Sequence, residues 1–159
     1  AKYFKHGFDN NLTPKGFLDY MKLQGVPIPG IGHRVKSVKN PDLRVSELKR
    51  FARENFPKAE LLNYALEIEK KTTGKKGNLI LNVDGAIGVL MVDLWRCLNY
   101  SDIEINQYID GGTLNALFIV GRSIGFVGHI LDEKRLNMPM YRHDTGDVLY
   151  DVSLAKEIA

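Results

Sequence analysis

The stretch Leu79-Ile80-Leu81-Asn82-Val83-Asp84-Gly85-Ala86-Ile87-Gly88-Val89-Leu90-Met91-Val92-Asp93-Leu94-Trp95 decides between a sheet-based and a helical fold. Its first five residues are short and apolar enough for a strand. Asp84-Gly85 ends that run, and residues 86–95 are apolar nearly all round, the pattern of a buried helix. Downstream, Ser101-Asp102-Ile103-Glu104 reads as a capping box that opens a short helix to about Tyr108. Residues 113–136 form the longest periodic stretch, with Gly121, Gly125 and Gly128 along it, and Pro139 lies just beyond its end. Glycines so spaced let a helix approach a partner closely.

Upstream, residues 1–11 carry no clear period. Thr13-Pro14 reads as an N-cap followed by proline at the first helical position. Leu12 and Phe17 are spaced to staple across that cap, and Gly25 is placed to stop the helix. Two prolines and two glycines in Val26-Pro27-Ile28-Pro29-Gly30-Ile31-Gly32-His33-Arg34 exclude regular structure there. Asn40-Pro41-Asp42 is a second break. A helix is expected after it with Leu43, Leu48, Phe51 and Ala52 inward, closed by Pro57, and another from about Ala59 to Lys71. Helix therefore dominates, and the fold class expected is all-α.

The 159 residues suffice for one domain with a real core. Charged residues at 26% against hydrophobic residues at 44% exclude intrinsic disorder. The net charge of +3 is dispersed, which argues against nucleic acid and favours a small anionic partner. One cysteine, Cys97, excludes an internal disulfide and multi-cysteine metal chemistry, and it fits a reducing, cytoplasmic setting. No uninterrupted apolar run nears the length of a membrane span, so no membrane partner is expected.

Four groups of residues could carry chemistry. His33 follows two glycines that permit close ligand approach, so it suits proton transfer or hydrogen bonding to a carbonyl or hydroxyl. It would equally serve as a capping or packing residue. Asp84, set between apolar runs, is expected to be partly buried, with desolvation favouring its protonated form. It could act as an acid or base, as the N-cap of the following helix, or as both. Arg44, Arg122 and Arg142 suit bidentate binding of a polycarboxylate, or internal ion pairs with Asp and Glu. Lys75 and Lys76 between glycines could neutralise phosphates or simply be a solvated loop tip. His129 with Glu133 is a helical pair, too few ligands for a metal site.

Together GIGHRVKS, NPDLRV, NYALEIEKKTTGKK, NLILNVDGAIGV, YIDGGTLNALFIVGRSIGFVGHILDEKRL and MYRH, from about Phe8 to His143, resemble the citrate synthase superfamily. Within it they are most similar to the citryl-CoA lyase module of the ATP-citrate lyases. The resemblance implies an all-α fold with the active site between a large and a small domain, in a dimer or tetramer. This chain would match the small domain over about 8–120 and the return to the large domain over 121–159. An upstream segment with a further catalytic His would be missing, so the fragment is expected to be inactive alone, its remaining segments or subunit acting as a partner.

The resemblance further implies roles. His33 would take the proton of the citryl hydroxyl as the carbon–carbon bond breaks to release oxaloacetate. Asp84 would protonate the methylene carbon of the acetyl-CoA enolate. Arg44, Arg122 and Arg142 would bind carboxylates, Arg142 across the dimer. Coenzyme A would be held by Val26, Ile28, Gly30, Ile31, Gly32, Lys36, Lys75 and Lys76, with ATP and Mg handled by other parts of the full enzyme. The alternatives are a citrate synthase, the same chemistry run as condensation, and an oligomerisation module with a dead site. Residues 144–159 carry no assignable feature.

Overall fold

The computed structural model describes residues 1–137. Arg142 and the MYRH motif lie outside them, as does the stretch 144–159. Seven helices are present among the described residues: α1 (Lys2–Asp9), α2 (Pro14–Leu23), α3 (Leu43–Asn55), α4 (Glu60–Thr73), α5 (Val83–Cys97), α6 (Asp102–Asp110) and α7 (Thr113–Arg135). Strand pairing among them is limited to isolated bridges, at Ile31 with Leu81 and Ser37 with Asn40. The all-α expectation holds. The chain divides into two units, Ala1–Leu114 and Asn115–Ala159.

Local signals set most helix starts in the first unit. Thr13 accepts the Gly16 N–H and Pro14 opens α2. Ser101 and Glu104 complete the capping box of α6. Gly25 leaves α2 at a φ of +67°, a conformation that favours glycine. α4 packs against α5, α2 and α1, and α5 also meets α3 and α1. Leu61, Ala65 and Ile68 of α4 and Ala86, Val89 and Val92 of α5 belong to one buried cluster.

Two sequence expectations fail here for physical reasons. α1 forms where no period is expected, although Phe4, Gly7 and Phe8 lie at helical spacing and turn inward. Phe4 stacks on Phe17 at 5.5 Å, and a Cβ on Gly7 would stand 2.6 Å from the Phe17 ring. Buried Lys5 bridges Asp9 of α1 and Asp102 of α6. On α3 Ala52 is buried and Leu48 packs against the core as expected, joined by Val45, whereas Leu43 and Phe51 are exposed. Phe51 packs edge-on against Phe56 at the helix end instead.

α7 has no buried residue. By length and composition it could cross a membrane, although Arg122, Ser123 and His129 interrupt its apolar run. Among the described residues of its unit, a Cβ on Gly121, Gly125 or Gly128 meets nothing within 4 Å. No helix partner for the expected small-residue face is thus found there.

α4 lacks a side-chain cap of its own. Asp93 of α5 supplies one, accepting the Leu61 and Leu62 N–H groups at 2.9 Å each. Burial pushes the Asp93 carboxyl above its ordinary range, with those two N–H groups pulling the other way. The Tyr64 hydroxyl is buried without a partner among the described residues, and burial pushes it up to about 12. Asp93→Ala should cost about 1–3 kcal/mol by stranding two buried donors, whereas Tyr64→Phe should add about 1 kcal/mol by removing an orphaned hydroxyl. Urea unfolding midpoints of the two variants should therefore move in opposite directions from the parent chain.

Candidate active site

The segment expected to be either strand or helix is both extended and helical in part. Residues 78–82 run antiparallel to the glycine loop and then turn into α5. Gly32 N donates to Ile80 O at 2.7 Å, His33 N to Asn78 O at 3.0 Å, and Asn82 N to Gly30 O at 2.9 Å. Further out, Val38 N donates to Gly77 O at 2.9 Å, tying the Lys75-Lys76 loop to the same seam. Gly30 and Gly32 take φ of +93° and +102°. The backbones touch where Gly30 meets Gly85, and a Cβ on Gly30 would stand 2.7 Å from the Gly85 Cα.

Those contacts bring the His33 loop against the first turn of α5, which carries Asp84. Here the expectation for Asp84 is corrected. The N-cap of α5 is Asn82, whose side chain accepts the Gly85 N–H at 3.0 Å. Asp84 is therefore a first-turn residue of α5 rather than its cap. It is exposed in this chain rather than wedged among apolar groups.

His33 is half-buried and fixed by its own loop. Its Nδ1 accepts from Val35 N at 3.0 Å and from Lys36 N at 2.8 Å. A ring nitrogen facing two N–H groups holds no proton, so the neutral imidazole carries its proton on Nε2. The capping and chemical readings are thus compatible, one on each ring nitrogen.

Arg44 sits at the start of α3, forked onto Asp42 through Nε at 3.0 Å and Nη2 at 2.7 Å. Asp42 is buried and also caps α3 through the Arg44 N–H. The Arg44 hydrogen bond holds its carboxyl below the usual range against the cost of burial. Of the two readings of Arg44, the structure shows the internal ion pair, which holds the guanidinium in one orientation.

Of the loop residues expected to hold a cofactor, Val26 is exposed, Ile28, Gly30, Ile31, Gly32 and Lys36 are half-buried, and Lys75 and Lys76 are exposed. Lys36 Nζ reaches Asn40 Oδ1 at 3.3 Å. Arg122 lies in the second unit, its guanidinium over the Phe118 ring at 4.8 Å. His129 and Glu133 approach to 3.6 Å, and no cluster able to hold a metal occurs among the described residues. Sequence reasoning passed over Asp42, Asn78, Asn82 and Glu69. Asn78 Nδ2 donates to His33 O at 3.0 Å, and Glu69 accepts the Leu81 N–H at 2.7 Å. Asn82 had a legible signal, an N-cap residue type three residues before Gly85. A cavity of about 220 Å³ lined in part by Ser37, Asp42, Glu69, Ile80 and Leu81 lies along the seam.

Residues 8–143 match the family described as citrate synthase, C-terminal domain. The ATP-citrate synthase of Bos taurus is 54% identical over 151 residues, which make up 94% of this chain and 14% of that protein. ATP-citrate synthase beta chain protein 1 of Arabidopsis thaliana is 50% identical over 94% of this chain and 25% of its own length. Among solved structures, a mutant ATP citrate lyase of Methanosaeta concilii in complex with (3S)-citryl-CoA has a TM-score of 0.79 at 52% identity. The match covers 99% of this chain and 26% of that one. The ATP citrate lyase of Methanothrix soehngenii, in complex with citrate and coenzyme A, gives 0.78 at 53% identity. The chain spans about a quarter or less of the length of these relatives.

The Asp42–Arg44 fork makes a pH prediction. A carboxyl held low in the folded state stabilises fully above its unfolded pKa, near ~3.9, and that stabilisation is lost as pH falls through the folded value. Thermal unfolding followed between about pH 2 and pH 7 should show a steeper acid limb for the parent chain than for Asp42→Asn. Superimposable acid limbs would contradict the pairing.

Proposed function

The chain belongs to the citrate synthase family through its C-terminal domain, and on that premise we propose that it is the citryl-CoA-cleaving segment of an ATP-citrate lyase. The reaction releases acetyl-CoA and oxaloacetate. Support comes from the seam itself, where a half-buried imidazole with a fixed tautomer and the first turn of α5 bearing Asp84 are hydrogen-bonded into one unit. The solved relatives bind citryl-CoA, or citrate with coenzyme A. ATP and Mg belong to other segments of the full-length protein.

In cleavage, the bond between the hydroxyl-bearing carbon of the citryl group and its thioester methylene breaks. The electron pair passes to the thioester enolate, and the hydroxyl loses its proton to become the ketone of oxaloacetate. Because His33 Nδ1 already accepts two N–H groups, its Nε2 carries a proton and cannot take the one from the hydroxyl. His33 instead donates a hydrogen bond to that oxygen, and the hydroxyl proton passes to a base in the remaining segments of the full-length protein, where the resemblance implies a further catalytic His. This revises the role that the resemblance implies, by a tautomer argument. Asp84 delivers a proton to the methylene carbon, completing acetyl-CoA.

A carboxyl that donates protons near neutral pH needs apolar cover, and Asp84 has little in this chain. The acyl-CoA and the remaining segments of the full-length protein would supply it, so the fragment is expected to be inactive alone. Arg44, oriented by Asp42, meets a substrate carboxylate, with Arg122 and Arg142 as the other expected carboxylate ligands. The backbone of residues 26–32 and the ammonium groups of Lys36, Lys75 and Lys76 hold coenzyme A. Self-association and a cytoplasmic setting belong to the same reading.

The test supplies citryl-CoA directly to the full-length enzyme. His33→Ala should lower kcat by ~10²–10³, the cost of one hydrogen bond to the reacting oxygen, and Asp84→Asn by ~10²–10⁴. Turnover unchanged by both substitutions would mean that the module is a scaffold. Condensation of acetyl-CoA with oxaloacetate in the absence of citryl-CoA cleavage would make it a citrate synthase.

A further inference from the structure

Asn82 does more than begin a helix. Its Oδ1 caps α5 through the Gly85 N–H at 3.0 Å. Its Nδ2 crosses to the opposing loop and donates to Gly32 O at 3.0 Å, and its main-chain N–H donates to Gly30 O at 2.9 Å. Four residues earlier on the same segment, Asn78 Nδ2 donates to His33 O. The carbonyls on both sides of the His33 N–Cα unit, at Gly32 and at His33, are therefore each held by an asparagine amide.

A helix cap alone does not require asparagine, because Asp and Ser cap about as well. Asparagine supplies an acceptor to the helix and a donor to the loop from two separate atoms, which aspartate cannot do. Aspartate would keep the cap but present an oxygen to the Gly32 carbonyl.

We propose that Asn82 is a positioning residue that sets the separation between His33 and the helix start bearing Asp84, through the strut to Gly32 rather than through the cap. The proposal rests on the citryl-CoA reading for its kinetic consequence but not for its structural one. The two glycines leave the loop backbone with more conformations than any other residue type would allow, so a loop bearing a reacting group needs a fastener close to it. A displacement of about 1 Å at a reacting group can cost roughly 10²-fold in rate.

The experiment compares Asn82→Asp with the parent in the full-length protein, by hydrogen–deuterium exchange and by citryl-CoA turnover. Peptides covering residues 30–38 should exchange about tenfold faster in Asn82→Asp. Peptides from α5 should be unchanged because the cap survives. In turnover, kcat should fall by about tenfold or more while KM moves little. Equal loosening of both segments would reduce Asn82 to a structural cap and overturn the proposal, as would unchanged exchange at 30–38. Parent-like kcat with a loosened loop would also overturn it. Asp84→Asn in the same series separates this from failure of the lyase reading. If that variant keeps full activity, the kinetic premise falls and the exchange pattern alone decides whether the strut exists.

Discussion

Everything that could be catalytic in the first unit depends on the close approach of two backbones, at Gly30 and Gly85. A side chain on either residue would collide with the other's main chain. With both bare, the loop can lie against the first turn of α5, and residues 78–82 can bond to residues 30–33 along one edge. The imidazole and the carboxylate come from residues far apart in sequence, yet they share this single junction. Their placement is set by hydrogen bonds, from the backbone and from the Asn78 and Asn82 amides, which are short-range and directional, rather than by apolar packing.

The fold behind the junction makes it stiff. α4 and α5 form the centre of the buried cluster, and α4 holds the seam from behind through Glu69 on the Leu81 N–H and Thr72 on the Leu79 carbonyl. Asp93 closes the other end by capping α4 from α5. The same two helices thus bury the apolar surface and align the extended segment that leads to Asp84. Arg44 is aligned by a related device, a buried carboxylate that caps a helix and forks onto the guanidinium.

Features written in a few adjacent residues were legible in the sequence. The Thr13-Pro14 start, the Ser101–Glu104 box and the break before Leu43 are local capping chemistry, and each appears where expected. Features that depend on partners distant in sequence were not legible. α1 was hard to read because its helical period, Phe4, Gly7 and Phe8, covers little more than one turn, and its order rests on Phe17, Tyr64 and Asp102. Asp84 was expected to be shielded because its neighbours in sequence are apolar. Capping by Asn82 instead puts it in the exposed first turn, while Ala86 and Val89 turn inward. The residue types at the site were visible as GIGHR and NVDG, but not the asparagine amides that hold the two motifs together.

The central claim is that the imidazole of His33 and the carboxyl of Asp84 serve successive steps of one reaction at one site. A double-mutant cycle on citryl-CoA turnover, pairing His33→Ala with Asp84→Asn in the full-length enzyme, tests it most directly. Groups that act as a unit are strongly non-additive, so the double variant should be within about tenfold of the worse single variant. Losses that multiply in full would mean that the two side chains act independently and would contradict the account.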